Sequence, residues 1–383
     1  MTPNPHEARW REALEQALAA FLKAYPASAA DGLYAPIHYL LSLGGKRIRP
    51  VLALAACEAE GGTMDAAMPS ALAVELFHNF TLMHDDIMDA APLRRGRPTV
   101  HTKWSENAAI LSGDVMYTLA LTALEGTPAE ALPDVLRLFN VTSREVCEGQ
   151  QSDMAFEARQ DVSVEEYVGM IRLKTSVLLA ASAAMGARAS GASPERVDAW
   201  YRYGVNVGLA FQIQDDYLDT FGESGATGKQ VGGDILSDKK TLLWLTTEVH
   251  AEGRNALESW AGKHPATGTE QAEAKVQAVR EAMVKAGADQ EARRRMEAHV
   301  AEAKAALAEL LASRHIAGAG LDVYADEPNI TKALLDLPNV VLLPHIGSAT
   351  IEGRLEMGDK VIINIQTFWD GHAPRDRVIE AML

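Results

Sequence analysis

The sequence predicts an all-α domain over residues 1–312 and a short α/β appendage over 313–383. Before Arg314, long runs place apolar residues at helical spacing, and none shows the alternation typical of a strand. After Leu311, two short apolar runs at 316–324 and 340–343 follow glycine or proline, as strands do. We therefore expect a helical domain that carries a two-stranded fragment.

The helical pattern repeats along most of the chain. We predict helices at 10–25, 32–43, 51–60, 68–89, 106–125, 132–155, 164–187, 193–220, 240–251, 269–286, 290–312 and, in the appendage, 331–336 and 350–369. Between 222 and 238 lies a glycine-rich loop with Lys229 and Asp234, of the kind that folds over a bound substrate.

Composition excludes several classes of protein. The net charge of −16 argues against a nucleic-acid partner, and the 48% apolar content supports a large core. The two cysteines, Cys57 and Cys147, are too few and too far apart for a disulfide framework, which suits a reducing cytoplasm. Residues 1–15 lack the apolar core of a signal peptide, and no stretch reads as a bilayer span. We expect a cytoplasmic protein without an integral membrane segment.

An Asp motif ends the predicted helix 68–89. Three carboxylates and the three guanidiniums that follow them stand close in sequence: Asp85, Asp86, Asp89, Arg94, Arg95 and Arg97. Asp85 and Asp89 are one turn apart, so they repel each other by a few tenths of a kcal/mol unless a cation lies between them. A magnesium diphosphate satisfies both charge types. Alone, such a helix end is equally well explained as a solvated cap.

A second Asp motif has the same spacing at the end of another apolar helix. Its carboxylates and the lysines that follow are Asp215, Asp216, Asp219, Lys229, Lys239 and Lys240. Two copies, each followed by basic residues, favour metal and diphosphate binding over two solvated caps.

Two further segments carry basic residues. The turn 44–50 places Lys46, Arg47 and Arg49 at a predicted helix start, where anions are favoured, although a Gly-Gly-basic turn is often only a turn. Lys174 and Thr175 interrupt an otherwise apolar helix. A lysine there can snorkel to the surface, but its apolar neighbours favour an inward-facing phosphate ligand.

Segments 44–50, 84–95, 174–175, 212–219 and 229–240 together resemble the trans-isoprenyl diphosphate synthase (polyprenyl synthetase) family over residues 1–312. The resemblance implies an isoprenoid-synthase helical bundle around a central cavity, with the two Asp motifs facing each other across its mouth. It also implies a homodimer. The implied reaction ionises an allylic diphosphate, which isopentenyl diphosphate then attacks before a proton is lost. Mg²⁺ and arginine stabilise the departing diphosphate, and apolar walls exclude water.

The resemblance implies a role for each site residue. Asp85, Asp89 and Asp215 ligate Mg²⁺, with Asp86, Asp216 and Asp219 in support. Arg94, Lys174, Gln212, Lys229 and Lys239 hold the allylic diphosphate. Isopentenyl diphosphate lies against Lys46, Arg49, His78, Arg95 and Phe211. Thr175 and the carbonyl of Lys174 face the cation. For His78, a hydrogen-bonded core histidine is the alternative.

Phe80, five residues before Asp85, is the candidate residue for control of product length. A helical wheel places Phe80 roughly 140° from Asp85, which favours an ordinary core aromatic. The resemblance instead makes Phe80 the floor of the cavity, with the small Thr81 beside it. This combination is similar to short-chain synthases and favours geranylgeranyl over farnesyl diphosphate.

The tail carries a second resemblance. Segments 318–328 and 337–350 look like the C-terminal end of a D-2-hydroxyacid dehydrogenase, in which Glu327 and His345 would be the acid–base pair. The glycine-rich dinucleotide fingerprint is absent, and two strands cannot make the sheet that holds the cofactor. We expect a non-catalytic remnant of an NAD-dependent enzyme in a fused chain.

Three other functions compete with a prenyl diphosphate synthase. A terpene cyclase shares the bundle and a related Asp motif, but it has no use for the segment 44–50 and the second motif. A non-catalytic partner subunit is the second alternative, but such a subunit would not need both motifs intact. An oxidoreductase is the third alternative, and only the tail supports it.

Overall fold

The computed structural model describes residues 5–222, 232–265 and 268–312 and, of the last part of the chain, 319–321, 330, 332–335, 337 and 340–342. These residues belong to two compact units, one within 6–317 and the other comprising 1–5 and 318–383.

The first half of the larger unit is helical apart from one short hairpin. In chain order it contains α1 (Pro5–Leu22), a 3-10 turn (Ala30–Gly32), α2 (Ala35–Ser42), α3 (Ile48–Ala59), α4 (Met64–Met88), β1 (Leu93–Arg94), β2 (Arg97–Pro98), α5 (Val100–Lys103), α6 (Glu106–Leu124) and α7 (Leu132–Ala158). We expected no strand here. The hairpin exists because Arg95 and Gly96 both take positive φ, which lets the chain reverse within two residues.

The second half continues the bundle. It contains α8 (Val164–Ile171), a π-helical turn (Arg172–Ser176), α9 (Val177–Ala189), α10 (Pro194–Phe221), α11 (Gly233–Leu236), α12 (Leu242–Val249), α13 (Ala251–Trp260), α14 (Glu270–Lys285) and α15 (Ala288–Ala312). The sequence predicted a continuous helix through the π turn and did not predict α13. Side-chain caps set several helix starts, including Thr63 on α4 and the reciprocal Ser163–Glu166 pair on α8.

The two Asp motifs end helices that belong to two different apolar cores. The first core gathers side chains from α1 to α7 and α9. The second gathers side chains from α8 and from α10 to α15, together with Phe156 near the end of α7. Helix α4 packs on α3, α6 and α9, whereas α10 packs on α9 and α15. Helix α9 is therefore the shared wall between the two motif helices.

Glycines allow the closest of these contacts. A Cβ on Gly204 would lie 2.4 Å from Cα of Ala180, and one on Gly208 would lie 2.6 Å from Cα of Ser176. Both glycines are on α10, one turn apart, so α10 lies directly against α9 and the π turn.

The smaller unit is described only in part. Strands β3 (Ala319–Leu321) and β4 (Val340–Leu342) pair in parallel, with Ala319 opposite Val340, and α16 (Lys332–Leu335) lies between them in sequence. Two parallel strands and an intervening helical turn are consistent with the expected α/β appendage. Glu327, His345 and the helix expected at 350–369 lie outside the described residues.

Two helical stretches among the described residues have the length and hydropathy of a membrane span. They are Glu106–Leu124 and Val164–Ala189, and 44% and 67% of their respective apolar windows are buried inside the protein. Buried helices of this composition are typical of the core of a helical bundle.

Candidate active site

The first Asp motif forms the end of α4. Asp86 points inward and is only 2% exposed, whereas Asp85 is half-buried and Asp89, which caps the helix, is exposed. Arg94 donates from Nε to Asp86 Oδ2 at 2.8 Å, and its NH2 lies 2.8 Å from Asp86 Oδ1. Asp86 is thus neutralised by a two-point ion pair, while the other two carboxylates remain on the open side of the helix end.

The hairpin orients two adjacent arginines differently. Arg94 pairs with Arg97 across the hairpin and reaches back to Asp86. Arg95 lies in the turn with a φ of 52°. If position 45 carried a Cβ, that atom would lie 2.9 Å from Nη2 of Arg95. A side chain at position 45 would therefore collide with the Arg95 guanidinium, and glycine leaves room for it.

Asp85 lies in a crowded electrostatic environment. Burial raises the pKa of its carboxyl group, Lys174 lowers it, and the neighbouring Asp89 raises it further. The influence of Lys174 indicates that its ammonium faces the end of α4. The influence of Asp89 shows the repulsion that a bound cation would relieve.

The second Asp motif forms the end of α10. Asp216 is 4% exposed, whereas Asp215 is exposed and Asp219 is half-buried. Tyr167 donates its hydroxyl to Asp216 Oδ2, and Gln212 donates from Nε2 to Asp216 Oδ1 at 3.0 Å. Burial, with a contribution from Asp234, raises the pKa of Asp216 to about 7.

Lys239 lies among carboxylates from several elements. Desolvation lowers the pKa of this ammonium, but Asp234, Asp153, Asp216 and Asp89 raise it, with the net result that the pKa lies above its ordinary value. Asp89 comes from α4, Asp153 from α7 and Asp216 from α10. Carboxylates from three different helices thus act on one ammonium, which indicates that the ends of both motif helices lie near Lys239.

The π turn carries Lys174 and Thr175 into the same cleft. Lys174 Nζ lies 2.5 Å from Asp153 Oδ2, and Thr175 donates its hydroxyl to Gln212 Oε1 at 2.9 Å. A Cβ on Gly149 would lie 2.4 Å from the backbone nitrogen of Lys174. Glycine at that position thus permits α7 to approach the turn.

A second basic cluster surrounds His78. Arg49 donates from NH1 to His78 Nε2 at 3.3 Å. Burial, together with Arg49, Arg95, Arg94 and Arg47, lowers the pKa of His78 well below its ordinary value, so the imidazole is neutral. The Nε atom of Arg49 is buried and has no hydrogen-bond partner among the described residues. An unpaired buried guanidinium donor is suited to an anion.

Arg47, by contrast, does not face this site. It is a buried cap at the start of α3, and it donates to Glu15 at 2.8 Å, to Glu75 and to the carbonyl of Leu41. The expectation that all three basic residues of the turn 44–50 project to an anion is wrong for Arg47, because its charge is compensated inside the fold. Lys46 is exposed beside it.

The two aromatic candidates differ in environment. Phe211 is 43% exposed, directly before the second Asp motif. Phe80 is half-buried, with its ring centroid 4.7 Å from that of His84 and 5.5 Å from that of Tyr117 on α6. Phe80 thus belongs to an aromatic cluster that joins α4 to α6.

Several residues of this cleft were not predicted from the sequence. Asp153 and Gly149 lie on α7 in the segment Gly149-Gln-Gln-Ser-Asp153, whose glycine and polar run inside a helix were an available signal. Tyr167 carried no signal, because nothing in the sequence shows that it faces Asp216. Lys229 was predicted here, but it lies outside the described residues.

A buried lysine behind the cleft was missed as well. Lys275 is fully buried and donates to Asp238 Oδ1 at 2.6 Å, the Lys263 carbonyl at 2.7 Å and the Leu236 carbonyl at 3.3 Å. Asp238 directly precedes Lys239 and has a positive φ of 55°. Lys275 therefore fixes the segment from which Lys239 reaches the cleft.

The carboxylates of the cleft fit magnesium bound together with a phosphate. Among the described residues, no group of three or more His, Cys, Asp or Glu side chains is arranged to hold a metal by itself. Mg²⁺ commonly uses only one or two protein carboxylates and takes its other oxygens from phosphate and water. The side chains of Asp85 and Asp89 could supply the two carboxylates of such a donor set.

Two family models match the chain. Residues 30–282 match "Polyprenyl synthetase", and residues 300–347 match "D-isomer specific 2-hydroxyacid dehydrogenase, NAD binding domain".

Relatives and solved structures agree with the first match. The geranylgeranyl diphosphate synthase of Methanosarcina mazei is 44% identical over 221 residues, which are 57% of this chain and 68% of that protein. The (2E,6E)-farnesyl diphosphate synthase of Mycobacterium tuberculosis is 43% identical over 218 residues, 56% of this chain and 60% of that protein. The crystal structure of geranylgeranyl pyrophosphate synthetase from Pyrococcus horikoshii superposes with a TM-score of 0.73 at 35% identity, covering 81% of this chain and 98% of that one.

Proposed function

The chain belongs to the polyprenyl synthetase family, an all-α family of prenyl transferases, and we propose that it condenses isopentenyl diphosphate with an allylic diphosphate in the cleft between the two Asp motifs. The observation that supports this most is the set of ion pairs that line the cleft. Arg94 pairs with Asp86 at the end of α4. Lys174 Nζ lies 2.5 Å from Asp153 Oδ2, and Lys239 Nζ lies 3.9 Å from Asp234 Oδ1. Such a cleft combines cation-binding and anion-binding groups as a metal-bound diphosphate requires.

The carboxylates would share one task. Asp85, Asp89 and Asp215 would hold Mg²⁺, which when bound supplies charge neutralisation to the departing diphosphate. Asp86 and Asp216, both buried, would position their helix ends through Arg94 and through Tyr167 and Gln212. Asp219 accepts from the backbone nitrogen of Asp234 at 2.9 Å, so it would support the segment that bears Lys239.

Cations around the cleft would hold the allylic diphosphate. Lys174, Lys239 and Arg94 contact or face the carboxylates, and we assign Lys229 to the same group by resemblance. Gln212 links Thr175 to Asp216 by two hydrogen bonds. That link would keep Thr175 and the Lys174 carbonyl directed at the developing allylic cation. Preorganised dipoles of this kind stabilise charge without reorganising.

The second basic cluster would bind isopentenyl diphosphate. We assign this role to Lys46, Arg49, His78 and Arg95, because Arg49 contacts His78 and keeps a buried, unpaired Nε among the described residues. A neutral His78 accepts from Arg49 through Nε2 and so holds the guanidinium in place without adding charge. The exposed ring of Phe211 would pack on the hydrocarbon of this substrate.

For the product we propose geranylgeranyl or farnesyl diphosphate. Relatives of nearly equal identity make either product, so identity does not decide between them. Phe80 is the candidate floor. The change Phe80→Ala removes a half-buried ring and should lengthen the product by about one isoprene unit, at a cost of ~3 kcal/mol in stability. Chromatography of the dephosphorylated products tests this, and Phe77→Leu serves as a control in the neighbouring, fully buried ring. An unchanged length distribution in a folded Phe80→Ala protein would exclude Phe80 as the floor.

We further propose a cytoplasmic homodimer. The subunit contact would involve α6 and α7, because both helices carry exposed apolar side chains: Ile110, Leu111 and Val141. Light scattering of the parent and of a Leu111→Glu variant tests it: the parent should have twice the chain mass and the variant should dissociate. The region 1–312 would carry the activity, and the tail 313–383 would take no part in it.

A condensation assay tests the proposed function. Labelled isopentenyl diphosphate is incubated with dimethylallyl, geranyl or farnesyl diphosphate, with Mg²⁺ or with EDTA. We expect acid-labile products only when both substrates and Mg²⁺ are present. Cyclic hydrocarbon from an allylic diphosphate alone would indicate a terpene cyclase. Oxidation of NADH with glyoxylate would indicate a functional tail.

A further inference from the structure

A basic pocket lies outside the cleft, beside the cluster around His78. Its volume is about 420 Å³, and its lining comes from α2, the β1–β2 hairpin and α5: Tyr39, Ser42, Leu43, Arg95, Arg97, Pro98 and Lys103. The volume is within the range of about 300–1,000 Å³ that small-molecule sites occupy. Only Arg95 is shared with the residues assigned to isopentenyl diphosphate.

The walls of this pocket are fixed by direct contacts. Tyr39 donates its hydroxyl to the carbonyl of Pro98 at 2.8 Å, which ties the hairpin to α2. The ring of Trp104 meets that of Tyr39 edge-on, with centroids 5.2 Å apart. The ammonium of Lys103 lies 4.3 Å from the Tyr39 centroid and 5.0 Å from that of Trp104. Cation–π contacts on two rings hold this charge at the pocket wall.

The charge of the pocket is opposite to that of the protein. The chain carries a net charge of −16, yet the lining contains three cations and no carboxylate. Among the described residues, Arg95, Arg97 and Lys103 form no salt bridge, whereas Arg94 next to them is paired with Asp86. A concave, basic surface on an acidic protein raises the local concentration of small anions.

We propose that this pocket is an outer anion subsite that captures the diphosphate group of isopentenyl diphosphate and delivers it to Arg95. Arg97 and Lys103 make the first contact from solvent. Arg95 then links the pocket to the inner cluster, because its guanidinium lies against Gly45, next to Lys46. The allylic diphosphate binds at the Asp motifs and has no need of this pocket. The proposal rests on the proposed function for the identity of its ligand.

Steady-state kinetics of the full-length protein test the subsite. The double variant Arg97→Gln with Lys103→Gln removes two charges and keeps the side-chain volume similar. We expect kcat/KM for isopentenyl diphosphate to fall about tenfold at low ionic strength, since electrostatic capture typically contributes 10-fold or more. The fall should shrink as salt is added, because exposed charges are screened. We expect kcat and the KM of the allylic substrate to change much less than kcat/KM for isopentenyl diphosphate.

Two control variants isolate the effect of position from that of net charge. Arg254→Gln with Lys285→Gln removes two exposed charges from α13 and α14 and should leave kcat/KM for isopentenyl diphosphate within about twofold of the parent. The single variant Lys103→Arg keeps a cation at position 103. It should have parental kinetics if the pocket acts through charge. Thermal melting shows that each variant is folded.

The results separate this proposal from the proposed function. If the parent performs condensation but the pocket variant has parental kcat/KM at low salt, the subsite is disproved. An equal loss for both diphosphates would also contradict it, because the pocket would then act on no particular substrate. If the parent does not condense, calorimetric titration with isopentenyl diphosphate and with inorganic diphosphate still decides. Weaker binding of both by the pocket variant would support an anion site, and unchanged binding would overturn it.

Discussion

Asp86 and Asp216 occupy the same position in the two Asp motifs, and both are almost fully buried. Asp86 faces a guanidinium, which forms a two-point ion pair with it. Asp216 faces a phenol and a carboxamide, which donate hydrogen bonds but carry no charge. One sequence pattern thus leads to two different ways of stabilising a buried carboxylate.

The difference has consequences for how each motif responds to its surroundings. An ion pair requires both partners, because removing one leaves a buried charge uncompensated. A carboxylate held by neutral donors pays a desolvation cost that protonation removes, and the pKa of Asp216 is accordingly raised to about 7. The first motif end should therefore be sensitive to mutation of its partner, and the second to pH.

Removal of Asp86 should have the largest effect on stability. We expect Asp86→Ala to lower the free energy of unfolding by about 3–4 kcal/mol, since it leaves Arg94 inside the fold without a carboxylate. The estimate is at the lower end for a buried pair because a quarter of the Arg94 side chain is exposed. Urea denaturation measures the change. Asp114→Ala, at a position 61% exposed on α6, should alter stability by less than about 0.5 kcal/mol. Equal effects of the two changes would contradict the ion-pair account.

Asp216→Asn should change the pH dependence of stability in the metal-free protein. The pKa of Asp216 is raised in the folded state, so between roughly pH 4 and pH 7 the folded protein holds a proton that the unfolded chain has released. Stability should therefore fall as pH rises through this window. The asparagine variant cannot titrate, so its stability relative to the parent should rise by about 2–3 kcal/mol between pH 5 and pH 8. Urea midpoints in EDTA at both pH values test this, and a constant difference would show that Asp216 is ionised throughout.

The contact between α7 and the π turn should be the next most sensitive. A Cβ at position 149 would meet the Lys174 backbone at 2.4 Å, so Gly149→Ala should cost about 2 kcal/mol and displace Lys174 and Thr175. Condensation activity should fall with it. Gly169→Ala on α8 is the matched control, because no atom lies within 4 Å of the added Cβ there. It should raise stability by about 0.5–1 kcal/mol. If Gly149→Ala left stability unchanged, α7 and the π turn would not be in close contact.

Much of the helical architecture follows from sequence periodicity, but its interruptions do not. The ranges of α4, α6 and α10 agree with the apolar pattern within a few residues. The π turn at Arg172–Ser176 escaped prediction because one extra residue per turn barely disturbs an apolar run. The hairpin escaped because two-residue strands carry no alternation to detect. Helix α13 is only ten residues long and buries only Gly253 and Leu257, so it offered too few apolar residues to be recognised as a helix.

The candidate site could be predicted as a set of residues but not as a set of contacts. The repeated Asp spacing identified both motifs, and the cleft contains residues from each. Sequence spacing could not show that Arg47 turns inward to Glu75, or that Tyr167 reaches Asp216 across 49 positions. Such pairings depend on how helices pack, which one helix's pattern does not encode. The roles of the individual residues stay predictions.

We propose that both motif ends act on one diphosphate, and one measurement tests this directly. The rate of isopentenyl diphosphate incorporation at saturating Mg²⁺ is compared among the parent, Asp85→Ala, Asp215→Ala and the double variant, with Asp114→Ala and Asp198→Ala as exposed controls on α6 and α10. Each single change should lower the rate by a hundredfold or more, as loss of one charge-stabilising group does. The double variant should be little worse than either single one, because the two carboxylates act as a unit. Near-parental activity of either single variant, with the fold intact by circular dichroism, would contradict the account.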